Sequence, residues 1–302
     1  MAAPTQQPGW VLWAWLVVLA LLTWALPDAP LDPYGAVNAH AIAEFVLIIL
    51  CISAVARLSV QRLGHRYGLL LTGIVGGFAS STATIYAMGR LAREQPSLQH
   101  TAVSAAILSS ASTALQLLAL THMLAAPVAP MTRLPIALGV GVLVALGVRA
   151  WQRGHDPAAL APAASPAPRG PALLDSKGLL GLTLLVGVIS WVSGWLFARY
   201  GSASLPVVAA ISGLADAHAL VPALAALVRQ GNLPAGDAVA PIFIALTVNA
   251  VSKSLIALQS GGVRFGLAVL AGLALSMAGV WLGVAWGSAR LAAQRGVQAS
   301  CG

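Results

Sequence analysis

Asp216 and Lys253 are ionisable side chains set inside long apolar runs, LPVVAAISGLADAHALVPALAALVR and DAVAPIFIALTVNAVSKSLIAL. A charge near the centre of a bilayer costs about 2.5–3.5 kcal/mol, so each needs a partner or a water-filled cavity. Their runs are consecutive, and the two are expected to interact directly or through one water. His218 follows Asp216 by two residues. A straight helix would turn them to different faces, so either the helix breaks near Gly213 and both line one cavity, or they face different neighbours. Asp216 and His218 are also the candidate ligands should a metal ion bind, and no motif names a cofactor.

Hydroxyls and amides extend this set. The third apolar run, GLLLTGIVGGFASSTATIYAMGR, carries Ser80, Ser81, Thr82 and Thr84. Gly73, Gly77, Ser80 and Thr84 share one face, a small-residue stripe suited to close packing. The next run places Ser109, Thr113 and Gln116 on one face, and the eighth does the same with Asn249, Ser252 and Lys253. Ser80, Thr113, Asp216 and Asn249 all fall near mid-run. Solute sites of repeat-built transporters lie at that depth. The competing account is a lattice of interhelical hydrogen bonds worth about 0.6–2 kcal/mol each. Glu44, one helical turn beyond an interfacial His40, is a candidate gate at an entrance.

The elements that must position these groups are helical and membrane-embedded. Of 302 residues 59% are hydrophobic and 8% charged, whereas a soluble chain carries about 25% charged residues. That excludes a soluble enzyme, a disordered chain and a nucleic-acid binder. The net charge of +8 is scattered between apolar runs, as topology determinants and headgroup contacts are. Nine runs can form hydrophobic helices: about 10–26, 36–56, 68–89, 102–124, 134–150, 178–198, 204–228, 238–258 and 265–288. The proline- and alanine-rich stretch 151–177 reads as a linker. It divides an N-terminal helix (1–35) and a first repeat (36–150) from a second repeat (178–290) and a tail (291–302). An offset of 136 pairs Gly77 with Gly213, Ala83 with Ala219, Arg93 with Arg229 and Ala114 with Ala250. The fold class is all-α, polytopic, with two four-helix repeats and some segments open to a re-entrant reading.

Basic residues leave the handedness of the repeats open. Nine full spans with the N-terminus inside place six basic residues inside and nine outside, against the usual bias. Re-entrant third and seventh segments would invert the halves and give ten inside and five outside. Nine full spans of reversed orientation also satisfy the bias.

Enzyme motifs are absent: no HExxH, no GxSxG and no GxxxxGK[ST]. The leading expectation is a transporter or channel for an ion or small polar solute, its site at the bilayer midplane between the repeats. The other is a non-transporting membrane scaffold or regulator. Expected partners are the lipid bilayer and the solute, with a homo-oligomer open and no nucleic acid.

Gly76, Gly77, Ser80, Ser81, Thr82, Ala83 and Thr84, the stretch Gly213–Asp216, and the Asn249/Lys253 pair together resemble an uncharacterised bacterial membrane-domain family. It is the domain of unknown function commonly fused behind an MgtC/SapB-type membrane domain. His218 stands where that family usually has a second acidic residue, and Asn38-Ala39-His40 replaces its usual Asn-Pro-Arg. The resemblance spans roughly residues 36–260. It implies a multi-pass protein of the bacterial inner membrane, linked to ion physiology, and names no substrate.

Overall fold

The computed structural model describes residues 9–154 and 176–300. Residues 155–175 of the expected linker lie outside the described residues, as do 1–8. Among the described residues the architecture is all-helical, without strands, and comprises eight α-helices. These are α1 (Gly9–Ala25), α2 (Ala39–Glu94), α3 (Gln99–Leu124), α4 (Ala129–Arg153), α5 (Ser176–Tyr200), α6 (Leu205–Ala215), α7 (Val221–Arg229) and α8 (Val239–Ser300). Among the described residues six helical stretches are, by length and composition, long and apolar enough to cross a membrane. The chain is a membrane protein by that measure. The apolar part of α1, Trp13–Ala25, is shorter.

The nine expected helices are thus not nine separate elements. The second and third runs both fall within α2, the seventh is split into α6 and α7, and the eighth and ninth fall within α8 as two helices that meet at a kink at Gly262. The breaks have local causes. Within α8, Gly262 takes φ 77° and ψ −177°, a conformation that L side chains avoid. Between α6 and α7, Pro222 has no N–H to give the His218 carbonyl, and its ring would collide with that carbonyl in a continuous helix. Val221 N donates to His218 O instead, at 2.9 Å. Asp216 is extended (φ −158°, ψ 135°) and ends α6.

Although helical along its length, α2 is not one rod. Asn38 caps it, its side chain accepting from Ala41 N. Ser53 Oγ donates to Phe78 O at 3.4 Å, yet 25 residues of straight helix would separate them by about 37 Å. The chain therefore doubles back between them. A second reversal follows. A Cβ on Gly76 would sit 2.6 Å from Thr84 Oγ1, whereas eight residues of straight helix span about 12 Å. Gly73 packs on Ala105 and Gly77 on Ser109, so this arm runs parallel to α3. Only residues 95–98 separate Glu94 from the start of α3. They could not return a straight parallel helix to that end, so the last arm comes back on its own. α2 thus consists of three arms, the second and third forming a hairpin.

Candidate functional site

The second reversal of α2 and the break between α6 and α7 meet at one cavity of about 460 Å³. It is lined from α2 by Ser80, Ser81 and Thr82, from α3 by Thr113 and Gln116, from the α6–α7 break by Asp216 and His218, and from α8 by Asn249 and Lys253. Apolar walls come from Phe45, Ile49 and Phe78 of α2 and Leu182 of α5. Most of the polar groups are buried, with Thr113 and Lys253 each only 3% exposed. Polar side chains withdrawn from lipid in this way must be satisfied internally or by an occupant.

Thr113 is the hub. Its hydroxyl accepts from Lys253 Nζ at 2.9 Å and donates to Ser81 Oγ at 2.8 Å. Its backbone carbonyl lies 3.0 Å from His218 Nε2. One residue of α3 therefore ties together α2, the α6–α7 break and α8. Asp216 Oδ1 accepts from the His218 backbone N–H at 2.6 Å and faces His218 Nδ1 at 3.0 Å. The carboxylate thus closes the turn that breaks the helix and orients the imidazole in the same contact.

A direct Asp216–Lys253 ion pair does not form; His218 is the direct partner of Asp216 and Thr113 that of Lys253. Both charges still line the same cavity. The helix break that lets Asp216 and His218 face it together lies at 216–220, just after the expected position near Gly213.

Two amides do a different job. Gln116 Nε2 donates to Phe78 O at 2.8 Å and Asn249 Nδ2 to Gly213 O at 3.2 Å. Each caps a carbonyl at the point where a helical segment stops. Thr84 does not reach the cavity: its hydroxyl donates to Ser80 O within its own helix at 2.9 Å. Glu44 lines another pocket, with His40, Trp24, Cys51 and Met123. Among the described residues no group of three or more His, Cys, Asp or Glu could hold a metal, so Asp216 and His218 stand as a pair only. The apolar wall of Phe45, Ile49 and Leu182 was not anticipated, because nothing distinguishes those residues from lipid-facing neighbours in the sequence.

A family model described as a domain of unknown function (DUF4010) matches residues 47–261. The chain belongs to that family. The DUF4010 region contains every cavity-lining residue named above except Phe45, and it ends one residue before the Gly262 break. No curated protein and no solved structure matches the chain.

Proposed function

We propose that this DUF4010 member is a transporter or channel for an ion or small polar solute, and not an enzyme. A cavity lined by buried ionisable and hydroxyl groups, placed where one helical segment reverses and another breaks, carries this reading. Helices broken within a membrane expose backbone and dipole ends that solute sites use, and irregular backbone is tolerated there only where it lines a protein-enclosed cavity.

The halves are read as two inverted repeats offset by 136 residues, giving nine apolar segments with the third and seventh re-entrant. Two pairs of contacts support this. Gly77 packs on Ser109 and Gly213 on Ala245, each pair being the other shifted by 136. Arg93 donates to Gln259 O at 3.0 Å, and its counterpart Arg229 donates to Leu124 O at 3.0 Å. Arg93 is next to the start of α3, whereas Arg229 is bonded to its end. Counterparts at opposite ends of one helix call for an axis in the membrane plane. The arrangement also places ten basic residues inside, in keeping with the usual bias; a bacterial inner-membrane location and an MgtC/SapB association belong to the same proposal and rest on the sequence resemblance alone.

Single cysteines in a Cys51→Ala, Cys301→Ala background test water access. Cysteines at Ser80, Thr113, Asp216 and Asn249 should react with a small polar thiol reagent from at least one side of intact membranes. One at Val188 of α5, which is 59% exposed on the outer surface, should stay inert. Four inert cavity positions would favour a non-transporting scaffold.

A further inference from the structure

Charge accounting at the cavity narrows the solute, given the transport reading above. Three lining side chains can carry charge: Asp216, His218 and Lys253. His218 Nε2 faces the Thr113 carbonyl at 3.0 Å. A carbonyl only accepts, so Nε2 carries hydrogen. Nδ1 faces Asp216 Oδ1 at 3.0 Å, and a bare nitrogen there would set two lone pairs against each other. One proton is therefore held between Asp216 and His218, and the pair sums to zero on whichever atom that proton sits. Lys253 is left over. It forms no ion pair among the described residues, and its one hydrogen-bond partner is the neutral Thr113 hydroxyl.

The hydrogen-bonding groups point the same way. A cation would need oxygen ligands, but of the carbonyls where two helical segments stop, Phe78 O has both lone pairs taken by Ser53 and Gln116 and Gly213 O has one taken by Asn249. Donors are in surplus. The Ser80 hydroxyl accepts from Ala83 N and keeps its own hydrogen to give. Thr82 lines the cavity, and so does Ala217, whose amide makes no hydrogen bond to another described residue. Ala217 precedes the N-terminus of α7, where the helix dipole favours negative charge.

We propose that the solute held in this cavity is a small anion of single negative charge, bound by the Lys253 ammonium and the donors of Ser80, Thr82 and Ala217. Halide, nitrate and short carboxylates share that chemistry.

The test uses the full-length protein, purified for thermal shift and reconstituted in liposomes for flux. Probes are chloride, nitrate, acetate and lactate, set against sodium, potassium and magnesium with impermeant counter-ions. At least one anion should raise the melting temperature and cross the bilayer faster than in empty liposomes. Lys253→Met should abolish that thermal shift and cut anion flux at least about tenfold, as loss of a buried counter-charge does. Lys253→Arg should retain part of both. Thr82→Val, which keeps every charge, should weaken anion binding and decides the matter if Lys253→Met does not fold. Inorganic anions active with carboxylates inert, or the converse, identifies the source.

Cation flux with inert anions, or anion flux and stabilisation indifferent to Lys253→Met and Thr82→Val, overturns the anion assignment and leaves transport standing. Anion stabilisation without flux of any solute overturns transport and leaves the anion site. No response to any anion in either measurement overturns the inference.

Discussion

Gly77→Ala and Gly213→Ala should each destabilise the purified protein by about 3 kcal/mol, at the upper end of what overpacking costs. A Cβ at Gly77 would overlap the backbone of Ser109, and one at Gly213 the backbone of Ala245. A flexible side chain can yield to an added methyl, but a helix backbone cannot move without its neighbours. Gly77 sits just before the reversal in α2 and Gly213 just before the α6–α7 break, so displacement there would shift Ser80–Thr82 or Asp216–His218. Thermal unfolding in detergent and the fraction recovered as a monodisperse peak are the measurements. Gly141→Ala in α4 and Gly187→Ala in α5 are the controls. Nothing lies within 4 Å of an added Cβ at either position, so both should be neutral or stabilising by up to about 1 kcal/mol through helix propensity. Equal tolerance at all four positions would remove the claim of backbone contact.

Asp216→Ala and His218→Ala should each cost about 2–3 kcal/mol, and the double variant about the same as either alone. The figure is set below the range for a fully buried pair because the Asp216 side chain is 34% exposed to the cavity. Removing one member strands the other. Removing Asp216 leaves the His218 ring without its Nδ1 partner and the backbone N–H of residue 218 without the carboxylate that closes the helix break, and removing His218 leaves a carboxylate held by that backbone N–H alone. A double-mutant cycle scored on stability isolates the coupling. The same cycle on Asp216 and Lys253 should give a smaller value, since no direct contact joins them. Near-additive losses for Asp216 and His218 would mean that the shared proton contributes little.

Much of the site was legible because polar residues in apolar runs are few and their depth follows from chain position. Ser80, Ser81, Thr82, Thr113, Gln116, Asp216, His218, Asn249 and Lys253 surround one cavity. The partners within that set were less legible. Helical periodicity separates Asp216 from His218, and only the break enforced by Pro222 brings them together. The break was half visible, since a proline four residues after His218 forbids a straight helix, whereas the hairpin in α2 has no proline to mark it. Small residues from Gly76 to Thr84 permit the reversal without requiring it, so the run reads equally well as a straight span. Thr84 shows the same limit. A hydroxyl that bonds back to its own helix and one that faces a cavity look alike until the turn is placed.

The reciprocal arginines bear on how such a chain is made. Arg93 emerges from the ribosome long before Gln259, the carbonyl it closes, and Leu124 waits in the same way for Arg229. Each half is synthesised with a helix end that only the other half can finish. Two polypeptides divided within residues 155–175 should therefore be degraded when made singly and accumulate when made together.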